Sequence, residues 1–293
     1  MLGANVMWGL MSPFSKYVIL GGIVTPMMIT NLRMGGAMVL FWALSAFMPK
    51  QHVPGKDLLR LFFASMLGVL INQTCFMAGV GLTAPGDASI ITTSMPLWVL
   101  ILGAFILHEP VTGRKLGGIA CGATGAILLI LGSGRVAAEA TGGKAILGDL
   151  LVLTAQLSYA TYLCLYKNFV AKYSLVTLMK WMFTFAFIMN LPLCFRQMLT
   201  ADWGALDWMS VGSLAFTVVG GTFLAYIFIM TGQKTLRPVV VGMYNYVQPV
   251  VSCMVGIYLG MDTFNIEKAL AIALIFGGVY LVTVTSKRRT QPC

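Results

Sequence analysis

Residues 97–102 read Leu97-Trp98-Val99-Leu100-Ile101-Leu102, six apolar side chains in a row. A strand of a membrane barrel alternates polar and apolar residues, and this run has no polar face. It therefore reads as helix, within an apolar stretch covering 86–107. About 20 mostly apolar residues span the roughly 30 Å of hydrocarbon in a bilayer. Working outward, nine further stretches meet that length: 2–20, 26–48, 58–80, 113–132, 146–170, 174–195, 208–233, 239–260 and 266–285. The expected fold class is an all-α integral membrane protein with ten transmembrane helices.

Composition agrees. Of 293 residues, 58% are hydrophobic and 10% charged, where a soluble domain carries about 25% charge. A sphere of this size cannot hide so much apolar surface from water. A soluble enzyme, a disordered chain and a nucleic-acid binder are all disfavoured, and the net charge of +10 is a matter of which loops carry it. With the first end inside, the even-numbered turns and the tail hold 12 of the 19 Lys and Arg, the odd-numbered turns 4 and the spans 3. Cytoplasmic loops retain basic residues, so a multi-pass protein of the cytoplasmic (inner) membrane with both termini cytoplasmic is expected. The first span carries Asn5, Trp8, Ser12, Ser15 and Lys16. It is too polar for a cleaved leader and reads as a functional helix.

The chain resembles itself. Shifted by 153 residues, the third to fifth spans lie on the eighth to tenth without a gap. Gly68 then meets Gly221, Gly79 meets Gly232, Pro85 meets Pro238, Pro96 meets Pro249, and Gly125 meets Gly278. A shift of 151 places Trp8-Gly9 on Tyr159-Ala160 and Lys16 on Lys167. Proline and glycine matches mark backbone geometry rather than mere greasiness. The division expected is a first repeat at 1–132, a linker at 133–145, a second repeat at 146–285 and a basic tail at 286–293. Five spans per half is an odd number, so the second half starts on the opposite side. Two inverted five-helix repeats around a central cavity are typical of secondary transporters.

Trp8-Gly9 with Lys16, Arg33, Pro96 and Glu109, then Gly148, Ser158-Tyr159-Ala160, Pro249 and Gly277-Gly278, give the chain a resemblance to the drug/metabolite transporter superfamily, in its EamA-type branch. The resemblance covers nearly the whole chain. It implies a cavity lined by the first, third, fourth, sixth, eighth and ninth helices, and movement of small organic solutes by alternating access. It leaves the substrate open. Tyr159 stands where the family pattern has Trp.

Polar groups inside a bilayer are costly and face the interior. The cavity candidates are Asn5, Trp8, Ser12 and Lys16 in the first span, Asn72 and Gln73 in the third, and Thr92, Thr93 and Trp98 in the fourth. Gln156, Tyr159 and Tyr162 in the sixth, Tyr226 in the eighth, and Tyr244, Asn245 and Gln248 in the ninth complete the set. The competing reading for each is helix–helix glue, worth about 1 kcal/mol. Pro96 and Pro249 lack an N–H and read as kinks that free a carbonyl one turn earlier. Aromatic rings among the candidates could stack on an apolar or ring-bearing solute. Lys16 could anchor a carboxylate or phosphate, while Lys167, Lys180 and Arg33 read as snorkelling to the headgroups, Arg33 alternatively tying to nearby carbonyls. Asp87 reads as a helix N-cap, and Gly118 with Gly122 as a close-packing pair.

No zinc spacing, phosphate loop or nucleophile–base pattern stands out, so neither a metal, a cofactor nor an enzymatic activity is expected. The partners expected are a small-molecule solute and membrane lipid, not nucleic acid, with a monomer slightly favoured. The function expected is a secondary transporter of small organic metabolites, amino-acid-like or similarly amphipathic, working in the direction of export. The alternatives are an organic-anion or sugar-phosphate exchanger using Lys16, and a non-transporting receptor or scaffold.

Overall fold

The structure is a computed structural model that describes residues 1–82, 91–92, 94–108, 112–133, 145–236, 238–258 and 266–287. Thr93, Asp87, Glu109 and Asp262, the linker and the end of the tail fall outside these, as do the side chains of Ser12 and Lys16.

The described chain is helical throughout. The first half comprises α1 (Leu2–Leu20), α2 (Pro26–Ala46), α3 (Gly55–Ser65), α4 (Asn72–Leu82), α5 (Met95–Ile106) and α6 (Gly113–Ser133). The second comprises α7 (Ala145–Leu165), α8 (Lys167–Lys172), α9 (Leu175–Thr200), α10 (Trp208–Val218), α11 (Ala225–Thr235), α12 (Pro238–Met243), α13 (Val247–Tyr258) and α14 (Ile266–Lys287). Four unbroken helical runs are long and apolar enough to cross a bilayer by themselves: Pro26–Ala46, Gly55–Gly79, Leu175–Thr200 and Trp208–Gly232.

The polarity of the molecule is inside out. Trp208, Phe47, Phe105 and Leu199 are largely exposed, whereas Asn5, Asn31, Arg33, Gln73, Asn190 and Thr222 are buried. Water would penalise the first set and lipid the second, so the medium around the helices is hydrocarbon. The chain is a multi-pass membrane protein.

Local structure recurs along the chain. Between α3 and α4 the helix widens into a π turn at Met66–Ile71, and between α10 and α11 it does so at Val219–Leu224. Each boundary of the second run lies 153 residues after its counterpart in the first. A π turn bonds i to i+5 and holds one residue more than an α turn; such bulges gather at functional sites.

Pro96, expected to kink its helix, follows Ser94 in the first turn of α5, where a missing N–H forfeits no helical hydrogen bond. Pro249 comes just after a 3-10 turn, Tyr244–Tyr246, that joins α12 to α13.

α2 and α9 run antiparallel along their whole length. Thr25 at the start of α2 bonds Gln197 near the end of α9, Trp42 bonds Thr184, and Ser45 receives the Lys180 ammonium. Both helices open the same way: Thr25 Oγ1 accepts from the Met28 amide, and Ser174 Oγ accepts from the Thr177 amide. α6 packs along α14, where a Cβ on Gly278 would meet the Gly118 carbonyl at 2.6 Å and the Gly122 nitrogen at 2.7 Å. Gly118 and Gly122 therefore make their close approach within the chain.

Candidate functional site

The two π turns position the centre of the molecule, because each offers carbonyls that side chains of the other half can reach. Trp8 of α1 donates its indole N–H to the Gly221 carbonyl at 2.9 Å. Ser158 of α7 donates to the Leu67 carbonyl at 2.8 Å, and the Tyr162 ring lies so close over Gly68 that a Cβ there would meet it at 2.8 Å. Each half's opening helix is thus seated on the widened turn of the other.

Two residues beyond the second bulge is Tyr226, buried with Gln73. The Gln73 amide nitrogen donates to the Tyr226 hydroxyl at 2.8 Å. These two residues are themselves 153 apart, so the bond joins one position of the repeat to its counterpart. Trp8 meets the Tyr226 ring edge-on at 5.9 Å between centroids, and Phe183 of α9 does so at 4.9 Å. Such edge-to-face pairs are favourable and fix ring orientation.

Arg33 completes this cluster, and the structure corrects the reading that it snorkels or ties to carbonyls. It is 4% exposed, and its Nε donates to the Thr222 hydroxyl at 2.8 Å. Thr222 in turn donates to the Thr217 carbonyl, five residues back at the end of α10. The guanidinium lies within electrostatic reach of Tyr226. No carboxylate pairs with it among the described residues. The available signal was an arginine in the middle of an apolar stretch, since intramembrane ionisable groups are functional candidates by default. Its partner lies 189 residues away, which no local pattern reveals.

The other candidates separate into groups. Asn5, Asn245 and Gln248 come together: Gln248 Nε2 donates to Asn5 Oδ1 at 2.9 Å and to Asn245 Oδ1 at 3.4 Å. This amide cluster lies one turn of α1 from Trp8. Asn72 donates to the Ala155 carbonyl at 3.0 Å, which fastens α4 to α7. Trp98 bonds Ser94 of its own turn. Gln156 is buried, while Thr92 and Tyr244 are half-buried.

Tyr159 and Tyr162 begin an aromatic ladder. Centroid separations of 5.8, 6.1, 6.2 and 5.7 Å connect Tyr159, Tyr162, Tyr166, Phe169 and Tyr173 in order. Its inner end contacts Met230 of α11 through the Tyr162 hydroxyl. A cleft lined by Tyr162, Tyr166, Lys167, Val170, Leu236 and Val241 follows it. Its outer end meets Asp57, a buried carboxylate that accepts from both Lys172 and Tyr173. That pairing holds the Lys172 ammonium above its usual range. Lys234 donates to the Tyr173 carbonyl beside it, and Gln51 accepts from the Ser174 amide. Three separate connections are latched at this pole.

The model of the EamA-like transporter family matches residues 1–131 and again 146–284. An uncharacterized transporter, YetK, of Bacillus subtilis is 25% identical over 236 residues, 80% of this chain and 70% of that one. An uncharacterized transporter of Archaeoglobus fulgidus is 26% identical over 278 residues, 94% of each chain. A solved crystal structure shares the fold with a TM-score of 0.80 at 17% identity, covering 99% of this chain and 96% of that one. The chain belongs to the EamA-like transporter family.

Proposed function

We propose that this protein is a secondary transporter that moves small organic metabolites, amino-acid-like or similarly amphipathic, across the cytoplasmic membrane by alternating access, in the direction of export. The observation that carries the reading is the buried contact of Gln73 with its repeat counterpart Tyr226, ringed by Trp8, Phe183 and Arg33. A polar and aromatic cluster at the junction of two related halves suits a site that each half can uncover in turn.

Ten membrane helices in two inverted halves, divided near 132 and 146, belong to the same proposal. Its support is that counterpart helices α2 and α9 run antiparallel and that the bulged runs recur at 153 residues. Both termini are placed in the cytoplasm because the even-numbered turns carry the basic residues. The latched pole around Asp57, Lys172 and Tyr173 would then be the cytoplasmic gate, with the aromatic ladder leading from it to the centre.

The test is uptake of labelled metabolites into proteoliposomes of the full-length protein, with and without an opposing gradient. Saturable flux that trans-loaded solute accelerates is expected. Saturable binding without flux of any bound solute would instead make it a receptor.

A further inference from the structure

The seam between α2 and α9 differs at its two ends. At one end Thr25 meets Gln197, a neutral pair. At the other, the Lys180 ammonium donates to the Ser45 hydroxyl at 2.9 Å and lies over the Trp42 ring, 4.6 Å from its centroid. An ammonium has three N–H donors. Among the described residues Lys180 uses one of them on protein and makes no ion pair. A hydroxyl and a ring thus hold this cation at a fixed place, with donors to spare.

That place is at the depth of lipid headgroups. Lys180 stands six residues after Ser174, which opens α9 at the latched pole, so it lies about 9 Å along the helix axis. Ser45 is one residue short of the end of α2. From Trp42 a run of rings crosses three helices. Trp42 to Trp181 is 5.3 Å, Trp181 to Phe185 5.9 Å, Phe185 to Phe62 5.7 Å, and Phe62 to Phe63 5.5 Å between centroids. Both ends of the run, Trp42 and Phe63, are exposed on the outside of the helices. Tryptophan gathers at this level of a bilayer.

The pole beside these rings is basic. Lys172, Arg60 and Lys234 stand around Asp57 and Tyr173, and Lys56 precedes Asp57 in the chain. Asp57 is already taken by Lys172 and Tyr173. Spare positive charge next to a lipid-facing aromatic bed suits an anion that carries a hydrocarbon chain. A soluble anion would leave the exposed rings unused, and a zwitterionic lipid brings a cation of its own.

We infer that Lys180, Ser45 and Trp42 form a binding site for an anionic phospholipid. The headgroup phosphate accepts from the Lys180 ammonium, and one acyl chain lies along the rings from Trp42 to Phe63.

The experiment places full-length protein in nanodiscs of equal parts phosphatidylglycerol and phosphatidylcholine and counts the lipids that stay bound by native mass spectrometry. Retention of phosphatidylglycerol about fivefold above phosphatidylcholine is expected, the preference one basic residue near the surface confers. K180Q should bring the ratio back to that of the bilayer, and K180R should keep most of the preference. R196Q, at the far end of α9, should leave it unchanged. Equal retention of the two lipids, an unaltered preference in K180Q, or an equal loss in R196Q would each overturn the inference. Displacement of phosphatidylglycerol by glycerol 3-phosphate would make the occupant a soluble anion and overturn it too. Should K180Q fail to fold, brominated lipids decide. Brominated phosphatidylglycerol should quench tryptophan emission more than brominated phosphatidylcholine, and the excess should vanish when W42F and W181F are combined. An excess that persists undiminished there would place the lipid elsewhere and overturn the assignment.

Discussion

The widened turns at Met66–Ile71 and Val219–Leu224 share a backbone but not a chemistry. In the first, the position matching Thr222 is Val69, fully buried, and the carbonyl at Leu67 is met by a serine. In the second, Thr222 holds a buried arginine and the carbonyl at Gly221 is met by a tryptophan. The repeat therefore supplies two widened turns, each met by the other half at carbonyls one residue apart in register, and only the second holds a charge. On the alternating-access reading proposed above, a symmetric frame with an asymmetric filling would let the halves exchange shapes while the charged seat stays on one side.

The sharpest way to break this comparison is to erase the charge. Arg33→Leu is expected to lower solute flux at least tenfold while leaving the melting temperature unchanged or higher, because a buried charge replaced by an apolar group often stabilises. Flux close to the original level would show that the second seat is no more functional than the first. Thr222→Val makes the second turn resemble the first while keeping Arg33. It strips Nε of its acceptor, so a loss of about 1–3 kcal/mol in stability, seen in denaturant or thermal unfolding in detergent, should accompany a several-fold fall in flux.

The glycines sharpen the comparison further. A Cβ on Gly68 would meet the rigid Tyr162 ring at 2.8 Å, whereas one on Gly221 would meet the flexible end of Met11 at 2.7 Å. Gly68→Ala should therefore cost about 1–3 kcal/mol, and Gly221→Ala distinctly less, in parallel melts of the two variants. The smallest effect is expected from the capping donors. Trp8→Phe and Ser158→Ala each remove one hydrogen bond from a bulge carbonyl, at about 1 kcal/mol. Amide hydrogen exchange should quicken at 219–226 in the first variant and at 66–73 in the second. Acceleration at the same turn in both would contradict the pairing described.

The helical, membrane-embedded character could be read from the chain alone, because long apolar stretches with so few charges suit lipid and not water. The 153-residue register was visible through glycines and prolines such as Gly68, Gly221, Pro96 and Pro249. What that register does to the backbone was not visible, since nothing in Met-Leu-Gly-Val-Leu-Ile or Val-Gly-Gly-Thr-Phe-Leu announces a π turn over an α turn. The polar candidates were identifiable by type but not by duty. Asn72 fastens two helices, while Gln73 beside it faces the centre, and only packing separates neighbours on one helix. Asp57 escaped notice because its burial depends on Lys172 and Tyr173, which lie far off in sequence. The buried ladder of Asn31, Asn190 and Thr74 joins three helices for the same reason.

An extra residue wound into a helix is a defect unless something keeps it. Here the defect occurs at the same offset in two segments that match one family model separately. The simplest history is a single insertion, present in an ancestor of half this size before its gene doubled. On that history the two turns began alike, and Val69 and Thr222 mark where they have since parted.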